Sequence, residues 1–228
     1  MPLRLEPVRD RKLYRLVKAA PIRPTRKGEV IYRAGDPSAH VFLVRSGHLC
    51  LQLDGAGEGR TVAVAGPSEL FGEDAMVPGA LRPYTAVVGE RGSVVALEGP
   101  AVRAILRSSQ HTLTSYLEMK ERELHLLRGA SAGSPGPTAR QRLAAVLLDL
   151  ADRLGEPDGE GVMLPHWFTH KELADLAGAH RSTVTTCLND WIWRGALIAR
   201  GRALTVPAAG LRALREEVTS IDPTPRQD

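Results

Sequence analysis

Residues 168–193, FTHKELADLAGAHRSTVTTCLNDWIW, spell two short helices joined at a glycine. Thr169 followed three residues later by Glu172 is a capping-box pattern, in which the Thr hydroxyl and the Glu carboxylate each satisfy a backbone N–H left free at a helix start. Leu173, Leu176 and Ala177 then fall on one side, and Gly178 supplies a tight turn. In the second helix Val184, Cys187, Leu188, Trp191 and Ile192 recur at helical spacing, which leaves Arg181, Ser182, Thr185, Thr186 and Asn189 on other faces. Those are side chains of the kind that meet base edges in a major groove. Thr169, His170 and Lys171 at the start of the first helix, with His180 and Thr183 at the start of the second, complete the expected contact set. An ordinary helical hairpin would show the same two stripes. The next stretch, ALIARGRALTV at 196–206, favours DNA: it predicts two short strands around Arg200-Gly201-Arg202, a wing whose basic tip meets phosphates.

Residues 28–98 have a different texture, with apolar or alternating runs punctuated by glycines, the pattern of a β-sandwich or barrel. VFLV at 41–44, HLCLQL at 48–53, TVAVA at 61–65 and SVVAL at 93–97 are the expected strands, with turns expected at Ser46-Gly47 and Asp54-Gly55. After Gly99-Pro100 the pattern turns helical, and Leu113, Leu117, Leu124 and Leu127 recur at coiled-coil-like intervals, interrupted by Lys120. A helix packed on its own β-domain is one reading of that seam; the heavily charged flanks favour a dimer helix. Residues 129–137, GASAGSPGP, offer nothing to bury and are expected to form a hinge. Thr138 and Gln141 make a second capping box, opening a helix that carries Leu143, Val146, Leu147 and Leu150. The tail after Glu217 is expected to be disordered. The resulting division is a sensor domain with an N-terminal helix over 1–110, a dimerisation helix over 111–128, the hinge over 129–137, and a DNA-binding domain over 138–228.

Charge supports this only through its distribution. The net charge is +4, but residues 138–206 hold eight Lys/Arg and eight Asp/Glu, so the DNA-binding domain is not basic overall. Lys171, Arg181, Arg200 and Arg202 instead cluster at the helix pair and wing, behind the acidic Asp149, Asp152, Glu156, Asp158 and Glu160. The N-terminus holds ten Lys/Arg against three Asp/Glu over residues 1–33, which reads as a solvated helix rather than as a DNA contact or an apolar signal peptide. With no apolar stretch approaching membrane-spanning length, a cytoplasmic location is expected. The two cysteines, Cys50 and Cys187, read as reduced core residues, and the seven histidines show no metal-ligand spacing such as H-E-x-x-H, so no metal is expected. No nucleophile-and-base constellation or P-loop argues for an enzyme.

The order of these parts, with Gly35-Asp36 and Gly47 in the β-region, Phe71-Gly72-Glu73 followed by Arg82 and Ala86, and LADLAGAHRSTVTTCL near the C-terminus, resembles the Crp/Fnr superfamily of bacterial transcription regulators. The resemblance covers nearly the whole chain. It implies an α+β fold: an N-terminal β-roll of the cyclic-nucleotide-binding jelly-roll type, a long dimerisation helix and a C-terminal winged helix-turn-helix. It implies a homodimer that reads a two-fold symmetric site in double-stranded DNA, with half-sites about 10 bp apart, and RNA polymerase as a partner if the protein activates.

The resemblance also makes Phe71, Gly72, Glu73 and Arg82 candidate ligands for cyclic AMP. Gly72 would allow close backbone approach, Glu73 would accept from the ribose 2′-hydroxyl, and Arg82 would pair with the cyclic phosphate. A turn at Gly72 with Glu73 paired internally to Arg82 is the other reading. Pro83 lacks the N–H that this position commonly offers, and Leu126, Leu127 and Arg128 provide no Thr or Ser to meet an adenine. The expectation is therefore a regulator that requires no cofactor and is active without a ligand. A cyclic-AMP-gated regulator, and a sensor module acting through protein partners, stand as alternatives. Branches that sense through iron–sulfur clusters use an N-terminal cysteine cluster absent from this sequence, and nothing points to a haem. In the reading helix Arg181 matches the guanine-reading arginine, but Ser182 and Thr186 stand where relatives commonly carry glutamate and a second arginine, so the half-site shares a guanine and not necessarily the rest.

Overall fold

The computed structural model describes residues 3–4, 11–54, 59–108, 113–114, 137–159, 161–164, 168–201 and 203–220, in two compact units, Met1–Ala132 and Gly133–Asp228. The first unit holds β1 (Leu3–Arg4), α1 (Arg11–Ala19), β2 (Ile22–Thr25), β3 (Val30–Tyr32), β4 (His40–Leu53), β5 (Arg60–Ala65), β6 (Glu69–Phe71), a 3-10 turn (Glu73–Met76), β7 (Thr85–Glu98) and α2 (Gly99–Ser108). Its sheet is antiparallel, ordered β1-β6-β4-β7-β2, with β3 also pairing β7 and β5 pairing β4.

The VFLV run explains why this sheet forms. Val41, Phe42, Leu43 and Val44 are all buried, although successive strand residues point to opposite faces. Val41 and Leu43 pack with Leu13 and Val17 of α1 and Val102 and Leu106 of α2, whereas Phe42 and Val44 join Tyr32, Phe71, Ala86 and Val94 in a second core. The strand is thus covered on both faces, and a covered strand reads as continuous rather than alternating. The basic N-terminal helix does form, and it buries Leu13 and Val17 beneath its charged face.

One expected turn is not a turn. Ser46 and Gly47 lie inside the fourteen-residue β4, where the pairing with β7 shifts register and Gly47 adopts φ +73°. The glycine makes a bulge that bends one long strand; it does not separate two. The reversal expected at Asp54 follows β4, which pairs back through Leu53 with Arg60 of β5, while Gly55 lies outside the described residues.

The second unit holds α3 (Ala139–Leu154), β8 (Glu156–Asp158), β9 (Gly161–Leu164), α4 (His170–Ala177), α5 (Arg181–Trp193), β10 (Ile198–Arg200), β11 (Ala203–Pro207) and α6 (Ala208–Thr219). Thr138 caps α3 reciprocally with Gln141, as its spacing predicts. Leu143, Leu147 and Leu150 of α3, Leu173 of α4, Val184, Leu188 and Trp191 of α5 and Leu214 of α6 share one core. The expected wing hairpin, β10 with β11, is part of a four-stranded sheet ordered β10-β11-β9-β8. The sequence reading missed β8, β9 and α6, and the order it expected to end at Glu217 runs on to Thr219. Of the proposed dimer seam, Leu113 is exposed; Leu117, Leu124 and Leu127 lie outside the described residues, as does most of the hinge. No helix among the described residues is long and apolar enough to cross a membrane.

Candidate nucleic-acid interface and nucleotide-type pocket

Both termini of α4 are built as the sequence dictates. The Thr169 hydroxyl accepts from the Glu172 N–H at 3.1 Å, and the Glu172 carboxylate accepts from the Thr169 N–H at 2.7 Å. At the other end Gly178 takes the left-handed conformation, φ +57°, and its N–H returns to Ala174 and Asp175. The carbonyls this turn would orphan are met from α3: Arg142 donates through Nε to Ala177 O at 2.7 Å and through Nη2 to Gly178 O at 2.8 Å. Its Nη1 donates to Pro137 O at 2.6 Å, so one guanidinium ties the entry to α3 to the helix-turn-helix turn. Sequence reasoning passed over Arg142, because two of its three acceptors are backbone atoms 35 and 36 residues away.

On α5, Val184, Cys187, Leu188 and Trp191 are buried, and Ile192 packs partly against the same core. Projected at about 100° per residue, Arg181, Thr185, Asn189, Ser182 and Thr186 fall in one arc of about 140° that holds none of the four buried side chains, with the partly buried Ile192 at its margin. Arg181, Ser182, Thr186 and Asn189 are exposed there and Thr185 is half-buried; Thr183, half-buried too, lies outside the arc. The hydroxyl of Thr185 donates to Arg181 O at 3.0 Å and lies 2.9 Å from Nδ1 of His170, which pins α4 to α5. Trp193, absent from the expected set, shares this arc and is 85% exposed. His180 precedes α5 as its N-cap residue without a side-chain cap, and Lys171 pairs along α4 with Asp175 at 3.1 Å.

The C-terminal end of α5 is held by Arg140 of α3. It pairs with Asp190 at 2.7 Å and Glu217 at 2.9 Å, and stacks on Trp191 with its guanidinium carbon 4.8 Å from the ring centroid. Hydrogen bonds from Arg140 and Arg194 hold the Asp190 carboxyl below the usual aspartate range. Burial pushes the Cys187 thiol up, which keeps it an inert core residue. At the wing, Arg200 is exposed and pairs only loosely with Asp158, at 3.7 Å, while Arg202 lies outside the described residues.

The nucleotide-type motif keeps the turn at Gly72 and the internal pairing of Arg82, but with an acid other than the one expected. Gly72 adopts φ +73°, and a Cβ there would come within 2.6 Å of Nη1 of Arg82, so the glycine makes room for the arginine itself. Arg82 is buried; Nη1 donates to Gly72 O at 2.9 Å and to Asp74 Oδ2 at 2.8 Å, and Nη2 to His40 O at 2.6 Å. Its internal acid is therefore Asp74, not Glu73, because the 3-10 turn after Gly72 carries Asp74 inward, where Ser38 also donates to it. The guanidinium carbon lies 4.1 Å from the Tyr32 ring centroid and 5.7 Å from that of Phe42, and Phe42 stacks on Phe71 at 5.1 Å. Burial pushes the Tyr32 phenol far above its ordinary value, against the opposing pull of Arg82. The backbone of Arg82 is fixed as well, exchanging hydrogen bonds with Gly35 and Asp36 at 2.9 Å. As built, Arg82 does not present a free fork to a phosphate.

Comparison with known proteins follows the same division. Residues 22–109 match the cyclic nucleotide-binding domain family, and residues 141–214 match the Crp-like helix-turn-helix domain. The cyclic AMP receptor protein of Thermus thermophilus is 32% identical over 167 residues, which span 72% of this chain and 73% of that protein. The CRP-like cAMP-activated global transcriptional regulator of Mycobacterium tuberculosis is 26% identical across 79% of this chain and 81% of its own length. Among solved structures, a CRP-family transcriptional regulator from Thermus thermophilus matches with a TM-score of 0.65 at 26% identity, covering 87% of this chain and 97% of the other. With its β-sheet nucleotide-type domain and its DNA-binding helix-turn-helix, the chain belongs to the Crp/Fnr superfamily, a family of transcription regulators rather than enzymes.

Proposed function

We propose that this regulator is a cytoplasmic homodimer that reads a two-fold symmetric DNA site and holds its DNA-binding form without a nucleotide. The observation that carries the last part is the closed network around Arg82. Two carbonyls, one carboxylate and an aromatic face already occupy the guanidinium, so a cyclic phosphate would have to displace a buried ion pair to gain it. Pro83 offers no N–H in exchange. Double-stranded DNA meets α5 through Arg181, Ser182, Thr186 and Asn189, and phosphates meet the first turn of α4 and the wing. Leu113, exposed on the segment before the hinge, fits a seam that a second copy covers through Leu117, Leu124 and Leu127. Where the protein activates, RNA polymerase is the further partner.

One observation favours the cyclic-AMP-gated alternative. The Nε–H of Arg82 is buried and has no hydrogen-bond partner among the described residues, and a phosphate oxygen would satisfy it. In that case Arg82 would turn from Asp74 to the phosphate and Glu73 would take the ribose hydroxyl. Titration of nucleotide-stripped protein onto a selected DNA site, with and without millimolar cyclic AMP, separates the two. A ligand shifts a conformational equilibrium only by its differential affinity for the two states, and the ligand-independent reading expects superimposable isotherms. A tenfold gain, about 1.4 kcal/mol of coupling, overturns it.

A further inference from the structure

The hydroxyls on the exposed arc of α5 are not equivalent to the other polar groups there. Thr186 Oγ1 donates its proton to Ser182 O at 3.1 Å, one turn back, just as Thr185 Oγ1 donates to Arg181 O. Thr185 is engaged further by His170 and is half-buried, so it holds the helix pair and presents little outward. Thr186 is exposed and, among the described residues, engaged only by that inward bond. With its hydroxyl held against the helix backbone, the outward group it offers a groove is its methyl.

We propose that Thr186 is a specificity-determining residue that selects a thymine by contact between its methyl and the thymine C5-methyl. The inference rests on the DNA-reading role assigned to α5 and names the base class that role selects at this position. The chemistry follows from the groove: of the four bases only thymine presents a methyl in the major groove, and threonine methyls meet it favourably. An arginine at this position would instead select guanine through its fork, whereas the outward methyl of Thr186 makes it an apolar reader. Thr186 follows Arg181 by five residues, about 7.5 Å along the axis, which places the thymine within about two to three base-pair steps of the guanine read by Arg181.

Selection of binding sites from random duplexes, repeated for the full-length chain and the variants Thr186→Val and Thr186→Ser, tests this directly. Valine keeps the methyl and removes the hydroxyl; serine does the reverse. The expected result is a thymine near the guanine read by Arg181 for the wild type and Thr186→Val, and no preference at that position for Thr186→Ser. Replacing that thymine by deoxyuridine, which deletes only the base methyl, should weaken wild-type binding about fourfold, the effect of losing one buried methyl contact, and leave Thr186→Ser unaffected. Loss of the preference in Thr186→Val but not in Thr186→Ser would assign readout to the hydroxyl and overturn the proposal. So would a selected site that tolerates deoxyuridine without loss. If the wild type selects no sequence at all, the DNA-reading assignment of α5 fails first, an outcome distinct from these two.

Discussion

Arg82→Met separates a structural strut from a ligand anchor, because the two roles predict opposite signatures. Methionine keeps much of the apolar stem of Arg82 against Tyr32 and Phe42 but removes three hydrogen bonds, to Gly72 O, Asp74 and His40 O. Breaking a buried ion pair from one side leaves the other charge uncompensated, at a cost of about 3–5 kcal/mol. Here the abandoned carboxylate keeps Ser38 as a donor and its side chain is 21% exposed, which places the loss at the lower end, about 3 kcal/mol. For a unit of this size that corresponds to a fall in Tm of roughly 10 °C. Thermal unfolding followed by circular dichroism measures it, and DNA affinity followed by fluorescence anisotropy below the transition should be unchanged. Adding Asp74→Asn should recover part of the loss, since the uncompensated charge is then gone. A variant that melts like the wild type while losing a cyclic-AMP-dependent gain in DNA affinity would refute the strut and restore Arg82 as a phosphate ligand.

Arg142→Ala should lower the stability of the C-terminal unit by about 1–2 kcal/mol and weaken DNA binding without altering base preference, since its partners are backbone carbonyls at the turn and hinge exit; site selection on the variant checks it. Arg200→Ala should weaken all sequences alike and reduce the slope of log K against log salt by about one, because its exposed pairing with Asp158 at 3.7 Å is too weak to keep it from phosphate. Replacing Leu124 and Leu127 together by glutamate should give a monomer in sedimentation at micromolar concentration, with loss of tight DNA binding. The Asp190 carboxyl, held below its ordinary range by Arg140 and Arg194, contributes stability that is full above the unfolded-chain pKa of about 3.9 and lost as pH falls through the lowered folded value. Asp190→Asn should therefore lose less stability than the wild type on acidification below about pH 4, as acid titrations of unfolding would record.

What the sequence made legible was local. Both capping boxes, the left-handed glycine after α4 and the buried stripe of α5 depend on residues within a few positions of one another, and all are present as expected. The elements that escaped depend on distant partners. Helix α6 carries Gly210, which argues against a helix from sequence alone, yet a Cβ there would lie 1.9 Å from Ala196 O, so close packing of α6 on the turn after α5 requires the glycine. Strand β8, with the sequence Glu-Pro-Asp, has no strand propensity to detect and exists because β9 pairs with it. The bulge at Gly47 reads as a turn because a glycine between two apolar runs has the same sequence in either case, and only the length of β7 opposite decides between them.

Two arginines show how far a motif transfers a role. Arg82 and Arg181 both fall where the family resemblance places a functional guanidinium, and no sequence rule distinguishes them. Their surroundings do. Arg82 is buried among carbonyls, a carboxylate and an aromatic face, which together satisfy the charge and much of its donor capacity from within the chain. Arg181 is exposed at the first position of α5, and among the described residues its guanidinium makes no hydrogen bond or ion pair. A guanidinium that the fold already satisfies binds an outside anion only by giving up those partners, while one left in water gives up only hydration. The same resemblance therefore leaves a base-reading role open at Arg181 and makes Arg82, in this chain, first of all a part of its own core.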